Sequence, residues 1–406
     1  MLSVAEAQAI ILKAVRPLPA ETVPLAPAAL GLRLAEDVAS DLDSPPFDKA
    51  LMDGYAVRCA DLPNGRGELA VVEEITAGQT PRHALGPGQA ARIMTGAPVP
   101  PGADAVVVVE RTRLLDERRV LVEDRPPAPG QNVLPRGREM RRGEAVLEAG
   151  ALLRPQEFGL LANVGRTAVR AVPAPRVAVL STGDEVVEPA CVPGPGQIRN
   201  SNGPMLLAQA ARAGAIAHFL GIARDRVEEL RELLGRGLSA DVLVLSGGVS
   251  AGKLDLVPGV LAELGVRPHF HKVAMKPGKP VFFGTRPRAG GDTMVFGLPG
   301  NPVSGLACFE LFVRPALRAL RGDPEPGPQL LKAGLAEDFL YRTDRPTYHP
   351  ALLEFGERGW RVRPVPWFGS ADLRGLAAAN ALALLPAGDH HHRAGEELSV
   401  LWMDGP

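Results

Sequence analysis

Between Arg176 and Leu320 short apolar runs alternate with stretches of helical character, and this alternation limits the fold more than any other feature of the chain. Arg176–Leu180 reads as a buried strand, with Ile216–Ile222, Asp241–Leu245 and Thr293–Phe296 as further strands. Between them the pattern predicts a helix over Pro204–Ala213 ended by Gly214, one from Asp225 to about Leu234, and one through Leu264. Cys308–Leu320 closes the series as a last helix. Strands joined through helices run parallel, and the helices cover both faces of the sheet.

The flanks are of a different kind. Ser3 and Glu6 form an S-x-x-E capping box, so the first residues read as a short amphipathic helix. A Pro-rich extended segment follows at Arg16–Ala28. From about Asp41 to Glu139, runs such as Leu69–Ile75, Ala105–Glu110 and Val120–Glu123 are separated by Gly/Pro turns and read as β structure. Pro155 suits the first turn of a helix through Leu161. Ala171–Pro175 and Arg321–Pro328 read as linkers. Beyond the second lies a small β domain with turns at Phe355-Gly356 and Pro386-Ala387-Gly388. With 406 residues, 46% of them hydrophobic, the chain is long enough for two to four domains.

A formal net charge of -1 gives no global field toward nucleic acid or an anionic membrane, so any anion site must be local. Aromatic residues are only 4%, too few for a base-stacking platform. Cys59, Cys191 and Cys308 lie far apart and suit a reducing compartment. The N-terminus lacks the basic start of a secretory signal, and no apolar run is long enough to cross a bilayer. These features predict a cytoplasmic protein with neither nucleic acid nor membrane as partner.

Three polar, glycine-containing loops follow strands of the alternating region: Ser181–Glu185 (STGDE), Ser246–Ser250 (SGGVS) and Leu298–Ser304 (LPGNPVS). Each alone could be an ordinary turn. In an open parallel sheet, however, loops at the carboxyl ends of strands share one edge, where ligands bind. Glycines there let backbone N–H groups approach an anion. The residues point to a phosphate-bearing or oxyanionic ligand. Gly247-x-x-x-x-Gly252-Lys253 approaches a P-loop, but Leu254 stands where a hydroxyl must hold magnesium, which argues against an NTPase.

Asp184, Glu185 and Asp255 lie in or beside these loops, and such oxygen donors suit magnesium. Asp225 reads either as a helix N-cap or as a further site acid. Asp53-Gly54 reads on composition as a hairpin turn. The chain holds seven lysines, and Lys253, Lys272, Lys276 and Lys279 fall in one segment. The last three lie in a Pro/Gly-rich basic loop that is either solvated or anion-binding. His390-His391-His392 reads as a solvated turn, because adjacent histidines splay and do not converge on one metal.

Taken in order, the segments PPFD (45–48), MDGYA (52–56), RIMTGAP (92–98), GADAVV (102–107), GQNV (130–133), LSTGDE (180–185), SGGVSAGKLD (246–255), KPGKP (276–280) and LPGNPVS (298–304) resemble the MoeA family and the E domain of gephyrin. The resemblance spans nearly the whole chain. It implies an α/β and β multidomain fold. Residues 1–45 and 140–172 would form an elongated linking domain and 46–139 a β-rich domain. Residues 173–322 would form the α/β molybdopterin-binding domain with a mostly parallel sheet, and 323–406 a small C-terminal β-barrel. It also implies a homodimer whose cleft lies between the α/β domain of one subunit and the β-rich domain of the other.

The implied reaction inserts molybdenum from molybdate into adenylylated molybdopterin and releases AMP with magnesium. Asp53, Thr95, Asp184, Glu185, Asp225 and Asp255 match acidic or active-site positions of the family, with Asp53, Glu185 and Asp255 as those managing magnesium and water. Ser246, Gly247, Gly248 and Ser250 match a cradle for the pterin phosphate. Lys279, Pro280, Ser304 and Ser370 match positions associated with molybdate, and Lys276, Pro299, Gly300 and Asn301 complete the binding segments. Molybdopterin adenylyltransferase and molybdenum-enzyme apoproteins or their chaperones are the implied partners.

Three departures from the family pattern stand out: Lys49 beside the MDGYA segment, Glu139 in place of an aspartate, and Thr347–Pro350 where an arginine is usual, with Arg345 as a nearby substitute. Two competing readings are a molybdopterin adenylyltransferase, normally a single α/β domain, and a non-catalytic molybdopterin-binding scaffold.

Overall fold

The computed structural model describes residues 1–248, 256–288, 290–357 and 359–403. The chain divides into two compact units, one of Met1–Val23, Ala28–Ala35 and Arg170–Pro406, the other of Pro24–Pro27 and Glu36–Val169. Ser250, Lys253 and Asp255 lie outside the described residues.

The first unit begins with α1 (Val4–Ala14). Ser3 caps it and Glu6 returns the bond to the Ser3 backbone, as the sequence predicts. Ala7 and Ile11, one turn apart, are buried on its inner face.

The second unit is built on a six-stranded sheet of β1 (Gly54–Val57), β2 (Arg66–Ile75), β3 (Gln89–Ile93), β4 (Ala105–Val108), β5 (Thr112–Asp116) and β6 (Arg119–Glu123), in the order β4-β1-β3-β2-β6-β5. Tyr55, Val57, Ala90, Ala105 and Val107 enter one apolar cluster, while Ala56, Ala91 and Val106 enter another. This period-2 partition buries both faces of the central strands. Asp53-Gly54 is not a hairpin turn. Gly54 opens β1 between β3 and β4, and a Cβ there would overlap the Val107 carbonyl oxygen. Close backbone approach, not turn geometry, calls for glycine here. Helix α2 (Pro155–Asn163) starts on Pro155 as expected.

In the first unit the alternating region folds as β7 (Arg176–Thr182), α3 (Asn202–Arg212), β8 (Ile216–Ala223), α4 (Val227–Gly237), β9 (Val242–Ser246), α5 (Val257–Glu263), β10 (Arg267–Lys272), β11 (Pro280–Arg288), β12 (Gly291–Leu298), α6 (Pro302–Cys308) and α7 (Arg314–Leu320). The sheet order is β8-β7-β9-β12-β11-β10. Strands β8, β7, β9 and β12 pair in parallel, whereas β11 and β10 add an antiparallel edge that the apolar pattern does not announce. Val177, Val179, Val242, Val244 and Phe296 face a core shared with α1, α3 and α6. Ala178, Leu180, Leu243, Leu245 and Val295 face one shared with α4 and α5. Burial on both faces explains why these strands are continuously apolar.

Several boundaries differ from the sequence reading. A strand at Ala168–Val172 takes in the first two residues of the expected linker, because Ala171 and Val172 are buried apolar residues with a pairing partner. The last helix starts at Pro302, six residues early, and passes through a π turn at Phe309–Val313 before α7. That turn buries Glu310, which accepts from Gln209 at 2.8 Å, Arg212 at 2.7 Å and Arg314 at 3.1 Å.

The C-terminal segment closes a barrel of β13 (Leu330–Leu335), β14 (Thr347–Gly356), β15 (Gly359–Pro364), β16 (Ala381–Leu385) and β17 (Glu397–Trp402), in the order β13-β15-β14-β16-β17. Phe355-Gly356 ends β14 within the ladder, Gly356 pairing with Gly359, so these two residues are strand and not the expected turn. His390–His392 stand in a strand paired with Phe339–Thr343, not in a turn. There His390 bonds the Ala387 carbonyl, His391 lies 3.4 Å from Asp338 and His392 bonds Glu396.

Candidate active site

In the first unit Ser181 and Ser246 stand opposite each other in register near the carboxyl ends of β7 and β9, and Leu298 pairs with Ser246 on the other side. The three loops therefore leave adjacent parallel strands at one level, as the sheet-edge rule requires. Their glycines let them touch. A Cβ on Gly248 would come within 2.7 Å of both Thr182 Oγ1 and Val257 Cγ2, and one on Gly247 within 2.7 Å of the Thr182 carbonyl. Both residues also have positive φ, +90° and +62° for Gly247 and Gly248.

The loops wall a cleft of about 730 Å³. Among the residues singled out in the sequence, Glu185, Asp225, Ser246, Gly247, Gly248, Pro280, Pro299, Gly300 and Asn301 line it. Asp184 adjoins it, its Oδ1 accepting the Asp225 N–H at 3.2 Å.

The structure removes one of the two readings of Asp225. Helix α4 starts at Val227 with Arg226 in the cap position and no side-chain cap bond, so Asp225 is not an N-cap. Its carboxyl faces the cleft, and its pKa lies above the usual carboxylate value. Burial is the larger cause, and the negative charges of Asp184 and Glu185 add to it. The Arg224 guanidinium does not neutralise this group directly: its Nη1 donates to the carbonyls of Asp184 at 2.8 Å and Val186 at 3.1 Å, fixing the loop backbone. Among the described residues, no three Asp, Glu, His or Cys side chains converge as a ready-made metal cage. The arrangement is an open acidic group, which suits a cation that keeps water and shares phosphate oxygens.

The remaining binding positions, Lys276, Lys279, Ser304 and Ser370, are not among the cleft-lining residues. Asn301 Nδ2 donates to Ser370 Oγ at 2.7 Å, and the Val303 N–H to the Ser370 carbonyl at 3.0 Å, joining the third loop to the barrel segment. Lys276 is pinned to β14 through the Tyr348 N–H and the Pro346 carbonyl, with its ammonium 5.6 Å from the Tyr341 ring centre. Lys279 is exposed beside Pro280, and Ser304 is buried in α6; neither lines the cleft. Arg345 pairs with its neighbour Asp344 at 2.6 Å. Thr347 and His349, in the stretch where the family carries an arginine, are buried. The His349 ring meets Phe339, Tyr341 and Trp367 edge-on, and burial holds its pKa below the usual value.

The second unit brings its two predicted residues together. Asp53 Oδ1 accepts from the Thr95 N–H at 2.6 Å and from the Thr95 hydroxyl at 2.7 Å. These bonds favour the ionised form and hold the Asp53 pKa below the ordinary carboxylate value. Gly96, with φ +85°, turns the chain just after Thr95. The two departures in this region answer each other: Lys49 Nζ lies 4.0 Å from Glu139 Oε1, and Glu139 Oε2 accepts from Ser44 Oγ at 2.8 Å.

Sequence reasoning missed one cleft wall. Ile198–Asn202, leading into α3, lines the cavity, and Asn202 bonds both Ser246 and Gly300. The polar run RNSN just before an amphipathic helix was the available signal.

Comparison with known proteins agrees with this architecture. Residues 2–165 match the MoeA N-terminal region (domain I and II), 178–319 a probable molybdopterin binding domain, and 332–402 the MoeA C-terminal region (domain IV). The molybdopterin molybdenumtransferase of Staphylococcus aureus strain Mu50 is 33% identical over 389 residues, covering 95% of this chain and 91% of the relative. That of Bacillus subtilis strain 168 is 35% identical over 375 residues, covering 91% and 86%. Two crystal structures of the molybdopterin biosynthesis MoeA protein from Pyrococcus horikoshii match with TM-scores of 0.82 and 0.81, at 33% and 30% identity. They cover 100% and 99% of this chain, and 100% of each of those chains. An acidic, glycine-walled cleft at a parallel sheet edge, followed by a closed barrel and matched along most or all of the length of these relatives, places this chain in the MoeA family of molybdopterin molybdenumtransferases.

Proposed function

We propose that this protein inserts molybdenum from molybdate into adenylylated molybdopterin, releasing AMP, as a step of molybdenum cofactor biosynthesis in the cytoplasm. The observation that carries the reading is the cleft itself, where backbone-lined glycine loops suited to a phosphate adjoin the carboxylates of Asp184, Glu185 and Asp225. Gly248, without a Cβ, lets the loop backbone approach a phosphate, while the Gly247 N–H ties the loop to the Leu298 carbonyl at 3.1 Å. The carboxylates of Glu185 and Asp225, with Asp184 beside them, have the hard oxygen chemistry of a magnesium site. Magnesium, when bound, supplies charge neutralisation for hydrolysis of the phosphoanhydride.

Asp53, kept ionised by Thr95, is assigned through the family resemblance to holding magnesium and its water. Lys279, Ser304 and Ser370 are assigned to orienting molybdate, whose charge suits an ammonium and hydroxyl donors. The dithiolene thiolates are soft ligands that take up the metal. The family resemblance supports a homodimer, with an apoenzyme or its chaperone receiving the product. Among the described residues no helix is long and apolar enough to cross a membrane.

The test is AMP release from adenylylated molybdopterin with magnesium, with and without molybdate, coupled to reconstitution of a molybdenum-dependent apoenzyme. Molybdate-dependent release with reconstitution is expected. Asp53→Asn and Glu185→Gln should each lower release by about 10²–10⁴-fold with molybdopterin still bound. ATP consumption in its place would identify an adenylyltransferase. Full activity in both variants would remove these carboxylates from the chemistry.

A further inference from the structure

The acidic and phosphate-suited groups leave two apolar side chains of the cleft without a task. Ile198 and Leu373 both line it, and they are 56% and 38% exposed. Their atoms are therefore open to whatever enters. Single exposed leucines and isoleucines scattered over a surface need no explanation. Two of them lining one otherwise polar cleft do.

Each is held through backbone bonds to a different loop. Ile198 and Arg199 pair in parallel with Val186 and Val187, and the Ile198 N–H donates to the Glu185 carbonyl at 2.8 Å, which ties Ile198 to the STGDE loop. Leu373 follows Ser370, whose hydroxyl and carbonyl accept from Asn301 and Val303, which ties its segment to the LPGNPVS loop. Asp372 fixes the turn beside it by accepting the N–H groups of Phe368 at 3.1 Å and Gly375 at 2.9 Å. Strand β9 stands between β7 and β12, so the loop of Gly247 and Gly248 leaves the sheet between these two loops. The backbone suited to a phosphate thus has one exposed aliphatic side chain tied to each neighbouring loop.

Small-molecule sites take affinity from apolar surface and orientation from a few polar groups. Here the loops supply the polar groups, and Ile198 and Leu373 supply apolar surface that a flat ring covers. Both stand on backbone fixed in advance, so little freedom is lost when a ligand enters. We propose that Ile198 and Leu373 grip the flat nitrogen heterocycle of the ligand whose phosphate the glycine loop holds, and so set affinity for the ring separately from the phosphate. This rests on the proposed function, whose substrate carries two such rings, a pterin and an adenine.

Ile198→Ala and Leu373→Ala remove the aliphatic surface and leave every polar group of the cleft in place. Ile198→Val and Leu373→Met retain most of it, and circular dichroism checks that all four variants fold. Binding of molybdopterin and of AMP is measured separately, by calorimetry at several temperatures, on the full-length protein and each variant. Both probes carry a phosphate, so a change in phosphate binding would show in both. Each alanine variant is expected to weaken one probe about tenfold or more and to leave the other within about threefold. The heat-capacity change on binding the weakened probe should become less negative, the mark of lost apolar burial. The conservative variants should stay within about threefold for both probes. Loss confined to molybdopterin assigns the grip to the pterin, and loss confined to AMP assigns it to the adenine. Unchanged affinity for both probes in folded alanine variants overturns the proposal, as does equal weakening of both or a loss that the conservative variants share. If the unaltered protein binds both probes and releases AMP from adenylylated molybdopterin, such a result leaves the proposed function intact. If it binds neither probe, the proposed function itself fails and the grip with it.

Discussion

Asp225 shows how a residue with a plausible structural role is reassigned by its surroundings. The motif Asp-x-x-Glu suggests a cap, yet the helix starts two residues later and the carboxyl shares the cleft with Asp184 and Glu185. Its folded-state pKa is raised, so the folded protein holds that proton more tightly than the unfolded chain does. Ionisation therefore lowers stability as pH rises from the ordinary carboxylate value of 3.8 through the folded value, and the penalty persists above it. Asp225→Asn should raise the melting temperature at pH 7 by up to about 1 °C, small because the group is partly solvated, and the gain should vanish below the ordinary value. AMP release should fall in the same variant. A lower melting temperature at pH 7 would show that the charge stabilises the fold. Asp53 is the opposite case. Its pKa is depressed by Thr95, so its contribution to stability is present at neutral pH and is lost as pH falls through the folded value.

At the level of elements, glycines decide where backbones meet. Gly54 lies in a strand where any side chain would collide with the Val107 carbonyl, and that carbonyl belongs to a paired neighbour that cannot withdraw cheaply. Gly54→Ala should destabilise the second unit by about 3 kcal/mol or more, read as a lower denaturant midpoint. Gly248→Ala meets Thr182 and Val257 and also strains a positive φ. It should cost about 1–3 kcal/mol and reduce AMP release by deforming the loop wall while leaving every cleft charge in place. Full activity in Gly248→Ala would mean that the loop contacts are not part of the working site. The sequence announces both glycines but not their reasons: Asp-Gly reads as a turn, and only the ladder shows a crossed strand. Likewise the apolar pattern announces the helix that ends at Leu320 but not its π turn, because burial of Glu310 depends on Gln209 and Arg212, about a hundred positions away, as well as on nearby Arg314.

Across the whole molecule, the two units have separate apolar cores, the first with the α/β sheet and the barrel, the second with the six-stranded sheet. Separate cores unfold with separate cooperativity. Scanning calorimetry of the full chain should give a calorimetric enthalpy larger than the van't Hoff value, and one two-state transition would refute that expectation. What the sequence determined alone is the part set by local periodicity and local chemistry. That part comprises the capped first helix, the parallel strands with helices on both faces, the three glycine loops at one sheet edge, and the order of motifs shared with the MoeA family. What only the tertiary structure decided is the part set by which distant residues become neighbours. It brought Thr95 to Asp53, set Lys49 against Glu139, turned Asp225 from cap to cleft, and added the antiparallel edge. It also made a cleft wall of Ile198–Asn202, with Asn200 bonded to Ser181 and Asn202 to Ser246 and Gly300. Periodicity reports which face of an element is buried; it does not report against what.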